Sequence, residues 1–390
     1  MQPDHPQGTP RMRVALDTTY AGANPTGVGL YSRRLAEQLR RIAHQERLSL
    51  RCYGLACRPP DRGTGWLDLL HEWPLNTHGV LPVRLARFRP DIVHATSHIG
   101  PVIGAGKLIV TVHDLIFRRH PEDYPRAWLA ITNLLLPLVL RRSAAVLADS
   151  GATAEDLHEF YPASRGKVRV VYPGIDPVNG HSALRADRDV TLREWGLAGI
   201  PYIMCVGPWS RRKNLAVVLR AFESLAGDLP GVRLVVTGRG GSGMKGAEPE
   251  ELIARLHPDT RQRINSLGFV PRDTLYALLS GASLLAYPSR IEGFGLPPLE
   301  AMSLGVSVVT SDVPVLREVA GGAAVHVSAD DPAAWAAAFR RILSEPGFAQ
   351  SLAHKGSVRS RDISWDRCAT DTLAVYREVA GDAKAVSMQP

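Results

Sequence analysis

Two carboxylates stand eight positions apart in Glu292-Gly293-Phe294-Gly295-Leu296-Pro297-Pro298-Leu299-Glu300, around a glycine-rich turn that the sequence predicts will open a helix. Pro297 and Pro298 suit a first helical turn, where a missing N–H costs nothing, and the N–H groups left exposed there can receive an anion such as a diphosphate. Gly293 and Gly295 let backbone approach a ligand closely, and a carboxylate can accept two hydrogen bonds from a vicinal diol of ribose or a hexose. The competing reading is that Glu292 and Glu300 are only acids favoured by the helix dipole. A second segment, Val206-Gly207-Pro208-Trp209-Ser210-Arg211-Arg212-Lys213-Asn214, carries three cations between a strand end and a helix. Fixed cations beside a group that departs as an anion stabilise the transition state more than the ground state. A solvated basic patch is the alternative.

Two further segments lie in the first half. Thr26-Gly27-Val28-Gly29-Leu30-Tyr31 follows a strand and opens a helix, so Gly27 and Gly29 could lie against a diphosphate or sugar. The loop lacks the third glycine of a dinucleotide fingerprint, and no acid sits about 20 residues on at a second strand end, which counts against NAD. His113-Asp114 ends a strongly apolar strand, where such folds keep polar ligand groups; a core histidine satisfied by backbone is the alternative.

The two-carboxylate segment resembles the E-x7-E motif of the retaining GT-B glycosyltransferases of family 4, also called glycosyltransferase group 1. By that resemblance Glu292 contacts donor-hexose hydroxyls, Glu300 the nucleotide ribose, and Phe294, Gly295 and Leu296 offer backbone N–H groups to sugar and phosphate. Arg212 and Lys213 match the family's Arg-Lys-Asn form, although Pro208 stands where many members have Arg. Gly27 and Gly29 resemble the family's N-terminal glycine loop, and His113 would reach the donor sugar from the first domain. Asp149-Ser150, Pro173-Gly174-Ile175-Asp176, Gly238-Arg239-Gly240-Gly241 and Gly268-Phe269-Val270-Pro271 resemble further landmarks in the right order, with Gly240 near the donor and Val270 meeting the base through its backbone. The resemblance spans roughly residues 13–345. It implies retaining transfer of a hexose from a nucleotide-diphosphate sugar, best matched to GDP-mannose, to a hydroxyl acceptor such as a polysaccharide, lipid-linked glycan or small glycoside. It also implies no cofactor beyond the donor and no metal; Asp330-Asp331 reads as a helix cap. A nucleotide-sugar-binding pseudoenzyme and an NAD-dependent dehydrogenase are the rival readings.

The elements that must position these groups alternate short β-branched runs with longer amphipathic stretches, the signature of α/β domains with parallel sheets. Predicted strands are Arg13–Asp17, Asp91–Ala95, Leu108–His113, Ala145–Asp149 and Val168–Tyr172 in the first half. Tyr202–Gly207, Val232–Thr237, Ile264–Phe269, Ala282–Tyr287 and Val306–Thr310 follow in the second. Helices are predicted over Leu30–Ile42, Asn214–Ala226 and Pro332–Leu343, and Ala127–Leu140 reads as a buried helix. The resulting architecture is two doubly wound, Rossmann-like domains facing across a cleft: an acceptor-side domain over 1–180 and a nucleotide-sugar domain over 181–365. Residues 366–390 supply a helix packing back toward the first domain and then a tail. The polar stretch from Pro173 to about Gly199 shows no strand pattern and reads as the connection and hinge.

A chain of 390 residues, 45% hydrophobic and 22% charged, is long enough for two cores. Cys52, Cys57, Cys205 and Cys368 are few and lack metal-ligand spacing, which points to a reducing compartment. No apolar run follows the polar start, so the expected location is cytoplasmic. The net charge of +8 is concentrated in residues 1–175, with 22 Lys and Arg against 15 Asp and Glu; beyond them the count is 24 against 23. A basic first half suits an acidic acceptor or peripheral contact with the inner face of an anionic membrane. Nucleic acid is excluded as a partner, since no aromatic platforms interleave with the basic residues.

Overall fold

A computed structural model of the chain describes residues 12–19, 27–54, 76–176, 181–225, 227–240 and 248–381. Thr26, Cys57, Gly241 and residues 177–180 of the expected connection lie outside the described residues. The chain divides into two compact units, the first comprising 1–121, 125–174 and 365–390, the second 122–124 and 175–364.

The first unit is built on a six-stranded parallel sheet of β1 (Met12–Asp17), β2 (Leu48–Tyr53), β3 (Ile92–Ala95), β4 (Lys107–Val112), β5 (Ala145–Ala148) and β6 (Val168–Val170), in the order β2-β1-β3-β4-β5-β6. β3 and β5 are buried throughout and read as continuous apolar runs because helices cover both faces. β2 was not foreseen. It is an edge strand paired only to β1 with its residues half-exposed, so it carries no such run. The strand order reverses between β1 and β3, and the carboxyl ends of strands at such a reversal are where α/β sheets place ligand groups.

The second unit repeats the plan with β7 (Tyr202–Val206), β8 (Arg233–Thr237), β9 (Ile264–Gly268), β10 (Leu284–Tyr287), β11 (Ser307–Ser311) and β12 (Val325–Val327). The order is β12-β11-β10-β7-β8-β9, all parallel, with the reversal between β7 and β10. β12 is again a short edge strand that left little trace in the sequence. Trp335, Phe339 and Phe222 fill the core on one face of this sheet.

Two expectations need correction. The apolar stretch Ala127–Leu140 is helical over Arg126–Arg142, but only one stripe is buried, Trp128, Thr132, Leu136, Val139 and Leu140; Leu134 and Leu138 are 68% and 42% exposed. Apolar composition on every side suggested full burial, whereas the sheet covers only residues at helical spacing. The connection also holds a helix, His181–Glu194, packed against Arg272–Gly281. That packing needs Gly281, where a Cβ would lie 2.7 Å from the Tyr202 hydroxyl and 2.8 Å from Leu192. Its charged sequence hid it.

The helix Trp365–Ala380 belongs to the first unit, where Trp365, Cys368, Leu373 and Tyr376 join Leu16, Tyr31, Ile92 and Leu147 in one core. A polar chain is buried with them. The Tyr376 hydroxyl meets His94 Nδ1 at 2.7 Å, His94 Nε2 meets Thr111 Oγ1 at 2.8 Å, and the Tyr31 hydroxyl lies 3.1 Å from the same Thr111 oxygen. Burial lowers the His94 pKa to about 3, so its ring is neutral. Among the described residues no helix is long and apolar enough to cross a membrane.

Candidate functional site

β7 ends at Val206, and the chain turns through a cis Gly207–Pro208 bond into Trp209, which is 2% exposed and donates its indole N–H to the Thr237 carbonyl at 2.9 Å. A 3₁₀ turn, Arg211–Lys213, follows and closes at Asn214 in the left-handed region (φ 53°). The Asn214 amide donates to the Ala329 carbonyl at 2.7 Å, fixing that turn before the helix Leu215–Ser224 begins. Lys213 therefore points inward between the ends of β7 and β10, at the reversal of strand order. Its ammonium donates to Glu292 Oε1 at 2.6 Å and to the Tyr287 hydroxyl at 2.7 Å; Tyr287 in turn donates to Glu292 Oε1 at 3.0 Å. Arg212 lies 3.3 Å from Glu292 Oε2.

The electrostatics of this cluster are one-sided. Burial, with Arg212 alongside, lowers the Lys213 pKa to about 8 despite the attraction of Glu292. Burial would raise Glu292, but Lys213 and Arg212 together outweigh it and bring that carboxyl down to about 2. The group is thus ionised near neutral pH, with two cations around one carboxylate. Such a buried, over-positive cluster is poorly explained as a stability device and well suited to receive an anion.

From Glu292 the chain passes through Gly293 and Phe294 to Gly295, which has φ 97° and precedes the helix Leu296–Ser303 with Pro297 and Pro298 in its first turn. A Cβ on Gly295 would stand 2.7 Å from Leu316 Cδ2, so the turn needs glycine for conformation and for space. Phe294 is buried. Glu300 lies in the body of this helix, 16% exposed at its side chain, with Oε1 accepting from the Tyr276 hydroxyl at 2.8 Å and from Arg272 at 3.3 Å. Val270 is buried after β9 beside an exposed Phe269, and the Gly240 N–H after β8 is held by Glu248 Oε2 at 2.8 Å. Asp331 caps the helix Pro332–Ser344 by accepting from the Ala334 N–H, and Asp330 pairs with Arg290 at 2.6 Å. Among the described residues no group of three or more His, Cys, Asp or Glu is arranged to hold a metal ion.

In the first unit Gly27 and Gly29 begin the helix Gly27–Ala43, Gly27 exposed and Gly29 buried. His113 follows β4 with Nδ1 2.6 Å from Asp149 Oδ2 and Nε2 2.9 Å from the Thr96 carbonyl. Both partners are acceptors, an arrangement that favours the doubly protonated, charged ring. Burial opposes this, but Asp149 and the Thr96 carbonyl outweigh it and raise the pKa. Sequence reasoning named Asp149 only as a landmark and overlooked Tyr287, Arg272 and Tyr276. The last two stand at i and i+4 on one helix face, a spacing visible in the sequence once Val270 marks the preceding loop.

Two Rossmann-like units, each a six-stranded parallel sheet flanked by helices, with a cation–carboxylate cluster at the strand reversal of the second, define a GT-B glycosyltransferase. Residues 189–359 match the glycosyl transferases group 1 family and residues 25–179 glycosyltransferase family 4. The chain is 34% identical to the D-inositol 3-phosphate glycosyltransferase of Xylanimonas cellulosilytica, over 81% of this chain and 73% of that one. It is 28% identical to the O-antigen chain mannosyltransferase B of Escherichia coli, over 70% of each. The sucrose-phosphate synthase structure from Thermosynechococcus elongatus superposes with a TM-score of 0.75 at 20% identity, covering 95% of this chain and all of that one. The chain belongs to glycosyltransferase family 4 and is an enzyme that acts on nucleotide sugars.

Replacing Gly295 by Ala tests the turn that presents Glu292 and Glu300. A Cβ in this left-handed conformation costs about 1–3 kcal/mol, so the urea midpoint of Gly295→Ala falls; an unchanged midpoint shows that the turn relaxes freely.

Proposed function

We propose that the protein is a retaining glycosyltransferase that moves a hexose, best matched to a GDP-mannose-type donor, onto a hydroxyl acceptor such as a growing polysaccharide, lipid-linked glycan or small glycoside. The observation that carries this reading is the buried Lys213–Glu292–Arg212 cluster at the reversal between β7 and β10. Arg212-Lys213-Asn214 and the mannosyltransferase among the relatives favour the mannose donor.

In this reading the bond between the anomeric carbon and the diphosphate oxygen breaks through an oxocarbenium-like transition state, and Lys213 and Arg212 take up the charge developing on that oxygen. Glu292 has both carboxylate oxygens beside cations and a pKa of about 2, which makes it a poor nucleophile. It suits contact with donor hydroxyls better. The acceptor hydroxyl attacks from the face the diphosphate leaves, and its proton passes to the departing phosphate oxygen. Phe294, Gly295 and Leu296 supply backbone N–H groups to phosphate and sugar, Glu300 holds ribose, and Gly240 and Val270 border phosphate and base. The family resemblance assigns Gly27, Gly29 and His113 to donor contacts as well. No metal is needed, since the leaving-group charge falls to fixed cations.

A transfer and hydrolysis screen of purified protein over GDP- and UDP-sugars tests the donor assignment. With the donor so found, Lys213→Ala lowers kcat by about 10²-fold or more with the fold intact. Because Lys213 loses its proton as pH rises through about 8, kcat/KM falls on that alkaline side, and Lys213→Arg carries the fall to higher pH. Equal turnover, or a profile indifferent to Arg, removes Lys213 from this role.

Peripheral contact of the first unit with an anionic membrane is the second part of the proposal. Leu134 and Leu138 are exposed on the helix whose two ends carry Arg126 and Arg141, and Ile103 is 65% exposed in the adjoining loop that Arg142 holds through the Gly104 carbonyl. The protein should float with phosphatidylglycerol vesicles and not with neutral ones, and Leu134→Ser with Leu138→Ser should abolish flotation; equal recovery on both vesicles contradicts the contact.

A further inference from the structure

Glu300 is not left to hold its ligand alone. Arg272 and Tyr276 stand one turn apart on the helix Arg272–Gly281, and their groups form a chain that ends on the Glu300 carboxylate. Arg272 donates to the Tyr276 hydroxyl at 2.6 Å and lies over its ring at 5.1 Å, and the hydroxyl donates to Glu300 Oε1 at 2.8 Å. The same guanidinium nitrogen reaches Glu300 Oε1 at 3.3 Å and Asp176 Oδ2 at 3.1 Å. Every hydrogen bond to the carboxylate arrives at Oε1; Oε2 accepts none among the described residues. Tyr276 and Arg272 therefore fix the rotamer and leave one oxygen for an incoming hydroxyl.

We propose that Arg272 and Tyr276 are positioning residues that hold Glu300 in the orientation, and in the ionised form, that binds the ribose diol of the donor nucleotide. The inference rests on the assignment of Glu300 to ribose. Its physical need is plain. Burial foremost, with Asp176 adding, raises the Glu300 pKa, while Tyr276 and Arg272 are the groups that oppose them. A protonated or rotated Glu300 would present a weaker acceptor to the diol, because charge-assisted hydrogen bonds are about twice as strong as neutral ones.

The test is calorimetric titration of the intact protein with GDP and UDP and with their 2′-deoxy counterparts, across pH. The wild type should prefer the ribonucleotide by about 10-fold or more, and lose that preference on the acid side as Glu300 protonates. Tyr276→Phe and Arg272→Gln should bind the ribonucleotide about 10-fold more weakly with little change for the deoxy form, and should move the acid midpoint upward, since the carboxylate has lost a donor. Arg272→Lys, which keeps the charge, should restore part of the loss. A merely structural role would weaken both nucleotides alike and leave the midpoint in place; that result in correctly folded variants overturns the proposal while Glu300 keeps its role. If Glu300→Gln retains the full ribose preference, the ribose assignment fails, and the positioning role with it.

Discussion

One buried ion pair governs the arrangement of the second unit. Lys213 comes from the turn after β7 and Glu292 from the loop after β10, strands separated in sequence by β8 and β9 and adjacent in the sheet because its order reverses between them. Removing Glu292 would leave Lys213 and Arg212 facing each other without a counter-charge, whereas removing Lys213 leaves Glu292 paired with Arg212, in a site where the Lys213 and Glu292 side chains are about one-tenth exposed. The surroundings are built to prevent this: the left-handed Asn214 sets the direction of Lys213, the Tyr287 hydroxyl bridges the pair, and Gly295 turns the chain sharply into the next helix. The turn, the cluster and the following helix start are therefore a single feature. Its excess positive charge suits an anion.

The first unit has a quieter logic. Its sheet reverses between β1 and β3, and the loops after β3, β4 and β5 bring Thr96, His113 and Asp149 within hydrogen-bonding distance. Beneath them runs the neutral chain from Tyr376 through His94 and Thr111 to Tyr31, whose ring meets the edge of His113 at 4.8 Å. The helix Trp365–Ala380, far along the sequence from the strands it covers, thus supports the strand end that carries His113. A buried hydrogen-bonded chain of this kind ties the helix to the strands it covers.

Much of this was legible beforehand because buried parallel strands are apolar runs and chemistry collects at their ends. Eight of the ten strands legible in the sequence are inner strands flanked on both sides, the other two being the edges β6 and β9, and the carboxylate pair, the cations and His113 all stand where such runs stop. The other two edges, β2 and β12, are hidden because Ser49 and Arg51 interrupt the apolar residues of the one and His326 those of the other, itself only three residues long. In sequence the helix His181–Glu194 reads as connection because nine of its fourteen residues are polar or charged, and the apolar helix Arg126–Arg142 reads as buried because composition cannot say how many sides a neighbour covers. The supporting groups were the least visible. Tyr287, Tyr276, Arg272 and Thr96 act through distances of under 3.5 Å to residues remote in sequence, and a side chain's partner across a sheet leaves no periodic trace.

If the diphosphate of the donor sits beside Lys213, binding must change the proton affinity of that ammonium. In the free protein its pKa lies at about 8, and an adjacent anion favours the charged form. Calorimetric titration with GDP at pH 8, repeated in buffers of different ionisation enthalpy, measures the consequence directly. The account predicts uptake of about half a proton per nucleotide bound, set by the fraction of Lys213 that is neutral beforehand, and no such uptake in Lys213→Arg. Saturable binding with no proton exchange at that pH, or an uptake that persists in Lys213→Arg, would contradict it.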